Sequence, residues 1–391
     1  MRKNISHSLK SYTAAQGNRP YISSLPIQKL PVWDIIRKNQ SLSSFELEIT
    51  ARCNNNCRHC YINLPAGDKT AERAELTPEE ISRLADEAVS LGALWCTLTG
   101  GEPLLRKDFN KIYFDLKKKG LLVSVFTNGT LINIEHVRMF KRFPPRDIEV
   151  TVYGVTEETY ENITRKKGSF SAFKKGLDLL FDNNVKVRLK AMALRSNLHE
   201  FQEIIQFCRE KTKDYYRFDP FLHLRFDGNP KRNQEIRSER LQPEEIVSLE
   251  RSDPNRIHVL EKACTEMIGP EFSYDCGHLF HCGAGKGLFT LGYDGTFRLC
   301  SSLWAPDCLY DLKKGTLTQA LGEFVDKVRQ KRSYSEVYLN NCLKCQLKNI
   351  CSWCPATAYL ENGELDSMVE YFCEAAHARA EALNITLNND K

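Results

Sequence analysis

The chain has no run of apolar residues approaching the ~18–20 needed to span a bilayer, so no membrane association is expected. Its first thirty residues lack the apolar core of a secretory signal, which makes the cytoplasm the expected location. A charge excess is missing too: 55 Lys and Arg against 50 Asp and Glu leave +5 over 391 residues. Nucleic-acid binding calls for a strongly basic face, so no nucleic-acid partner is expected. With 42% apolar and 27% charged residues the composition is that of a globular protein, long enough for two domains. Cysteine, by contrast, is plentiful, with fifteen residues. A disulfide scaffold would be small and secreted, and cytosolic thiols stay reduced, so metal ligation is the better account.

Three of these cysteines, Cys53, Cys57 and Cys60, stand at C-x3-C-x2-C spacing in one short segment. Such a loop can hold three corners of a [4Fe–4S] cube or, completed by His59 or a distant ligand, a structural zinc ion. No fourth cysteine lies nearby; the next is Cys96. In the cube reading one iron therefore stays open to an exchangeable ligand, as in reactive rather than structural metal sites. Downstream, Thr99-Gly100-Gly101-Glu102-Pro103-Leu104 follows the apolar run Leu94–Leu98. Two glycines at a strand end let a ligand approach the backbone, and Glu102 supplies an acceptor there.

Residues 1–44 read as a lead-in segment that is basic and free of acidic residues up to Leu30. In it, Trp33, Ile35 and Ile36 suit one short amphipathic turn. From 45 to 227 strand and helix patterns alternate, with strands expected at 45–50, 94–98, 121–126, 148–152, 185–192 and 215–225. The helix between the first two has Thr77 as N-cap, Pro78 at its first position, Glu80 closing a capping box and Gly92 past its end. Ile81, Leu84, Ala85 and Ala88 fall on one of its faces, and Asn197 is expected to cap the helix after the fifth strand. Six repeats imply an α/β fold with parallel strands and right-handed crossovers, either an open doubly wound sheet or a barrel. Residues 228–265 are polar and helix-prone around Gln242–Arg251, and read as a linker region.

Residues 266–391 hold a second cysteine field. Cys276 and Cys282 precede two apolar runs separated by Asp294-Gly295, a strong hairpin signal, and Cys300 follows. Then come Cys342, Cys345, Cys351 and Cys354 at C-x2-C-x5-C-x2-C spacing, and finally Cys373. Taken alone, that last group suits a zinc ribbon or a pair of ferredoxin-like loops.

The cysteine triplet followed by Gly100-Gly101-Glu102-Pro103 resembles the radical S-adenosylmethionine superfamily. The resemblance implies a partial (βα)6 barrel with cofactor at the carboxyl ends of the strands. It implies a catalytic [4Fe–4S] cluster on Cys53, Cys57 and Cys60, and S-adenosyl-L-methionine bound at the open iron. The Gly-Gly-Glu-Pro segment would hold the amino group of S-adenosylmethionine. Asn128, in Thr127-Asn128-Gly129-Thr130, resembles a recurrent turn at the barrel mouth. Thr151 stands where relatives often place a serine facing the cofactor carboxylate, while Tyr153 replaces a common aspartate.

The second field resembles the SPASM extension of such enzymes, except that Cys351 and Cys354 are two residues apart where three are usual. Carried over by position, one auxiliary [4Fe–4S] cluster takes Cys276, Cys282, Cys300 and Cys354; the other takes Cys342, Cys345, Cys351 and Cys373. Cys96, Cys208, Cys264 and Cys308 are left as small apolar residues.

Relatives with this extension mostly modify peptides or proteins. The resemblance implies a peptide or protein substrate and an electron donor such as ferredoxin or flavodoxin. An enzyme acting on a small metabolite is the second reading. Sulfatase maturation is demoted because Ser301 stands where those enzymes carry an aspartate after the cysteine equivalent to Cys300. A non-catalytic iron–sulfur or zinc protein would have no need of the Gly-Gly-Glu-Pro segment.

Overall fold

The computed structural model describes residues 42–212, 216–267 and 277–384. The lead-in turn around Trp33 and the site residue Cys276 lie outside the described residues, as does the side chain of Cys264. Among the described residues eleven strands are present in chain order. They are β1 (Ser44–Glu48), β2 (Arg52–Cys53), β3 (Leu64–Pro65), β4 (Trp95–Thr99), β5 (Leu122–Thr127), β6 (Asp147–Val152), β7 (Val187–Met192), β8 (Tyr216–Asp219), β9 (Leu288–Leu291), β10 (Thr296–Arg298) and β11 (Tyr310–Asp311). No helix among the described residues is long and apolar enough to cross a membrane.

Nine strands form one sheet in the order β11-β10-β9-β1-β4-β5-β6-β7-β8. From β1 to β8 every pairing is parallel, and neighbours in space follow chain order without reversal. A doubly wound sheet needs a point where strand order reverses. Its absence from this run leaves all crossovers winding one way, which is a partial (βα)6 barrel, followed by the cysteine-rich C-terminal region. The sixth strand is shorter than the sequence suggests because Pro220 follows Asp219 and has no N–H for the ladder.

Side chains alternate across the sheet. Phe45, Leu47, Cys96, Leu98, Val123, Val125, Ile148, Val150, Leu189 and Ala191 belong to the main core. Their neighbours on the opposite face, such as Glu46, Glu149, Thr151 and Lys190, are polar, as period-2 geometry requires of a sheet that is greasy on one side only. The Pro78–Ser90 helix carries the expected capping box, and Ile81, Leu84, Ala85 and Ala88 are its buried residues.

Asn197 does not cap the following helix, Phe201–Lys211, which starts after a 3-10 turn with no side-chain cap. It is fully buried instead: its carbonyl accepts from Leu194 N (2.9 Å) while its amide donates to Tyr153 O (2.8 Å) and Met192 O (3.0 Å). It thereby ties the ends of β6 and β7 together. Asn197→Ala strands these buried backbone groups, at ~1–3 kcal/mol for each unsatisfied group. It is expected to lower the urea midpoint clearly while leaving the m-value unchanged.

The Asp294-Gly295 turn closes an antiparallel β9–β10 hairpin, with Gly295 at φ +89°. Sequence reading did not anticipate where the hairpin docks. β9 pairs in parallel with β1, Phe45 opposite Phe289, so the C-terminal region continues the barrel sheet. The 228–265 stretch holds helices Pro230–Ser238 and Pro243–Arg251, and a third, Pro254–Met267, begins within it. Glu250 of the second is buried and takes two bonds from Arg379 of the last helix, Glu370–Ala382. This part of the chain is therefore packed into the body.

Candidate functional site

The carboxyl ends of the barrel strands open onto a cavity of about 490 Å³. The Cys53–Cys60 loop forms one wall. Its shape comes from a helix end: Asn56 N and Arg58 N donate to the carbonyls of Thr164 (2.9 Å) and Ile163 (3.1 Å). These are terminal carbonyls of helix Glu157–Thr164 that would otherwise lack partners. Arg232 Nη2 holds the loop from outside by donating to Cys57 O (2.6 Å). Cys53, Cys57 and Cys60 all line the cavity, with Cys53 and Cys57 buried.

Burial, reinforced by the neighbouring thiols, pushes Cys53 well up and Cys57 up to about 12. Two buried neighbouring thiols, Cys53 and Cys57, do not ionise together unless a cation stands beside them, and a coordinating metal supplies that charge. Among the described residues no three His, Cys, Asp or Glu side chains gather tightly enough for a single ion. The three cysteines that line the cavity would each offer one thiolate to an iron of a [4Fe–4S] cube.

The glycine segment forms a second wall. Thr99, Gly100 and Gly101 line the cavity. Their smallness serves the chain itself: a Cβ on Gly100 would lie 2.2 Å from Thr50 O, and one on Gly101 would lie 2.4 Å from Arg52 O. The two segments are joined there by Gly101 N to Thr50 O (2.7 Å) and Glu102 N to Arg52 O (2.9 Å).

Glu102 and Pro103 do not line the cavity. The Glu102 carboxylate is fully buried and accepts from Thr127 Oγ1 (2.7 Å), Asn128 N (2.7 Å) and Leu104 N (3.0 Å). Burial raises its pKa to about 7. It is an internal brace between the ends of β4 and β5 rather than an open acceptor.

Asn128 and Thr151 do line the cavity. The Asn128 amide donates to Asn54 Oδ1 (3.0 Å) and approaches Cys53 Sγ (3.8 Å), which fastens the turn after β5 to the cysteine loop. One cavity residue, Asn55, escaped sequence reading, and His59 entered it only as a possible zinc ligand. Asn55 is buried with both polar side-chain atoms unpartnered among the described residues, and His59 Nδ1 is likewise unpartnered. Burial, with Lys190 and Arg232 nearby, holds His59 neutral, its pKa pushed down to about 3. The Tyr153 ring lies tilted against His59, with ring centroids 5.2 Å apart.

The far wall is ionic. Lys190 of β7 pairs with Asp219 of β8 (2.7 Å), and Glu149 of β6 pairs with Arg217 (3.1 Å). Ser301 and Ser302, from the turn after β10, complete the lining. The second cysteine field thus reaches the barrel cavity through the residues next to Cys300.

Six cysteines of that field, Cys282, Cys342, Cys345, Cys351, Cys354 and Cys373, surround a separate cavity of about 340 Å³. They fall into two electrostatic groups. Burial first, then Cys354 and Cys282, pushes Cys300 up to about 12. Burial together with Cys345, Cys373 and Cys342 pushes Cys351 up to about 11, and Cys342 is raised by burial with Cys345 and Cys373. Cys354, with its shortened spacing from Cys351, is the N-cap residue of helix Pro355–Asn362 and lines the same cavity as Cys282. Cys96, Cys208 and Cys308 are fully buried, as packing residues would be.

Residues 47–208 match the family described as the Radical SAM superfamily. The subtilosin biosynthesis protein AlbA of Bacillus subtilis is 27% identical over 258 residues, which are 65% of this chain and 54% of that protein. The Fe-coproporphyrin III synthase of Methanosarcina barkeri is 23% identical over 78% of this chain and 80% of its own length. The chain spans about half the length of the first curated relatives it matches. In fold it is similar to Streptococcus suis SuiB bound to precursor peptide SuiA, with a TM-score of 0.65 at 14% identity over 94% of this chain and 85% of that one.

Proposed function

We propose that this chain, whose residues 47–208 match the Radical SAM superfamily, is a radical S-adenosylmethionine enzyme maturing a ribosomally made peptide or protein. The observation that carries this reading is the single cavity shared by the cysteine loop, the glycine wall and the Ser301–Ser302 turn. Cys53, Cys57 and Cys60 would hold the [4Fe–4S] cluster. Thr99, Gly100, Gly101, Asn128 and Thr151 would contact S-adenosylmethionine, with Glu102 and Pro103 acting from behind the wall. The unpartnered Asn55 amide and His59 Nδ1 fit a polar occupant there. When bound, cluster and S-adenosylmethionine supply a 5′-deoxyadenosyl radical that takes hydrogen from an unactivated substrate carbon.

The chain's own contribution is orientation and exclusion of water. The loop is pinned by a helix end and Arg232, the glycine wall is fused to residues 50–52, and the ionic wall of Lys190, Asp219 and Glu149 offers the substrate polar anchors. Cys276, Cys282, Cys300 and Cys354 would hold one auxiliary [4Fe–4S] cluster, and Cys342, Cys345, Cys351 and Cys373 the other. With four cysteines each, both are closed to substrate and suited to passing electrons. Ferredoxin or flavodoxin in the cytoplasm would be the donor.

A peptide substrate is supported by two relatives, one named for bacteriocin biosynthesis and one bound to a precursor peptide. The synthase relative, matched over 80% of its length, favours the small-metabolite alternative. Mass spectrometry of a short peptide encoded beside this gene, incubated with the reduced enzyme, separates the two: a mass change in the peptide supports maturation, and an unmodified peptide beside a converted metabolite overturns it. Anaerobic reconstitution is expected to give about twelve irons per chain and dithionite-dependent 5′-deoxyadenosine. Cys57→Ala is expected to lose about four irons and all deoxyadenosine.

A further inference from the structure

Arg298 is an unusual residue to find at zero exposure. It sits on β10, two residues before Cys300, and its side chain is fully buried. One guanidinium nitrogen pairs with Glu48 at the end of β1, across the seam where the C-terminal hairpin joins the barrel. Its flat face lies on the Trp304 ring, 3.6 Å from the centroid. Trp304 is itself fixed on its other contacts: its ring meets Phe226 at 4.8 Å, and its Nε1 donates to Ser301 O (2.9 Å). The Cys300–Trp304 turn is therefore closed on itself and clamped to the barrel through a cation.

That cation is under-satisfied. Nε and Nη1 of Arg298 have no hydrogen-bond partner among the described residues, and neither has Glu48 Oε1. A buried guanidinium with idle donors is costly unless an anion completes its surroundings. Burial also works against the charge on Glu48, raising its pKa, so the compensation from that side is weakened. Cys300 follows Arg298 by only two residues, directly after β10, so the guanidinium and the thiol belong to the same end of the hairpin. A four-cysteine iron–sulfur cluster is anionic, and its potential responds to nearby charge and to hydrogen bonds on its sulfurs.

We propose that Arg298, held by Glu48 and Trp304, is a positioning residue that puts a fixed positive charge beside the auxiliary site of Cys282, Cys300 and Cys354 and raises that site's reduction potential. The inference rests on the cluster assignment made above.

The test is an EPR-monitored redox titration of anaerobically reconstituted full-length protein. Arg298→Gln is expected to shift one auxiliary midpoint to lower potential and leave the other signals in place; Arg298→Lys should retain most of the wild-type value. Should the glutamine variant fail to fold or to load iron, Glu48→Gln keeps the cation, removes its counter-charge and is expected to shift the same midpoint upward. An unmoved midpoint in whichever of these two variants carries full iron overturns the proposal. Wild-type protein that loads only about four irons overturns the auxiliary assignment itself, and the proposal with it, while leaving the Cys53 site standing.

Discussion

Gly101→Ala is expected to yield protein that either fails to accumulate or lacks both iron and S-adenosylmethionine binding. The added methyl carbon would fall 2.4 Å from Arg52 O and 2.5 Å from Ala51 O, both backbone atoms with nowhere to retreat. Ordinary overpacking of side chains costs ~1–3 kcal/mol. Here the neighbour is the segment that leads directly into Cys53, so relief of the clash has to move the cysteine loop. Gly67→Ala is the control, since no atom lies within 4 Å of its Cβ position. Thermal melting of the apo-protein, followed by iron content after reconstitution, checks both variants. A Gly101→Ala protein with unchanged melting and full iron would show that the contact between the two segments is dispensable.

The second large effect is expected at Glu102. Glu102→Ala leaves the donors of Thr127, Asn128 and Leu104 without an acceptor in a site closed to water. At ~1–3 kcal/mol for each unsatisfied buried group, the loss is a large part of a domain's stability even if the terms do not add fully. Glu102→Gln keeps the shape and one acceptor oxygen, enough for Thr127 and Leu104 but not for Asn128 N, and is expected to be milder than the alanine variant. The pattern distinguishes a brace from a ligand. A brace variant loses stability before it loses cofactor affinity, whereas a direct ligand would lose S-adenosylmethionine binding in a protein that melts normally. Equilibrium dialysis with S-adenosylmethionine alongside a denaturant curve reads both quantities.

These two positions also show what the sequence could convey. Gly100-Gly101-Glu102-Pro103 is conspicuous as a string of letters, but only its two glycines line the cavity. Which atoms face the cavity is a matter of backbone direction, and that is set by residues 50–52, far from the motif in sequence. The same holds for Asn197, whose chemistry suits a helix cap until the ends of β6 and β7 arrive beside it. Strand positions, the capping box at Thr77 and the Asp294-Gly295 turn were legible because each depends on neighbours a few residues away. The ionic wall was readable in principle: Glu149 and Thr151 alternate with apolar residues in β6, as Lys190 does in β7. Arg298, Trp304 and the Ser301–Ser302 turn were not, since their meaning comes from the hairpin docking on β1. No local signal specifies which sheet edge a hairpin will join.

The β1–β9 pairing has a consequence for how the chain is made. Residues 44–47 must wait for residues 288–291 before their open side is covered. Until the ribosome has released the hairpin, the nascent barrel presents Phe45 and Leu47 on a strand with one bare row of amide and carbonyl groups, a template for pairing with another chain. Contacts this distant in sequence are slow to form. The cysteine loop follows β1 immediately, so its thiols are also displayed throughout that interval. Yield in the cell should therefore depend on chaperone supply and on oxygen during synthesis, and a shorter version ending before residue 288 should aggregate rather than behave as a smaller enzyme.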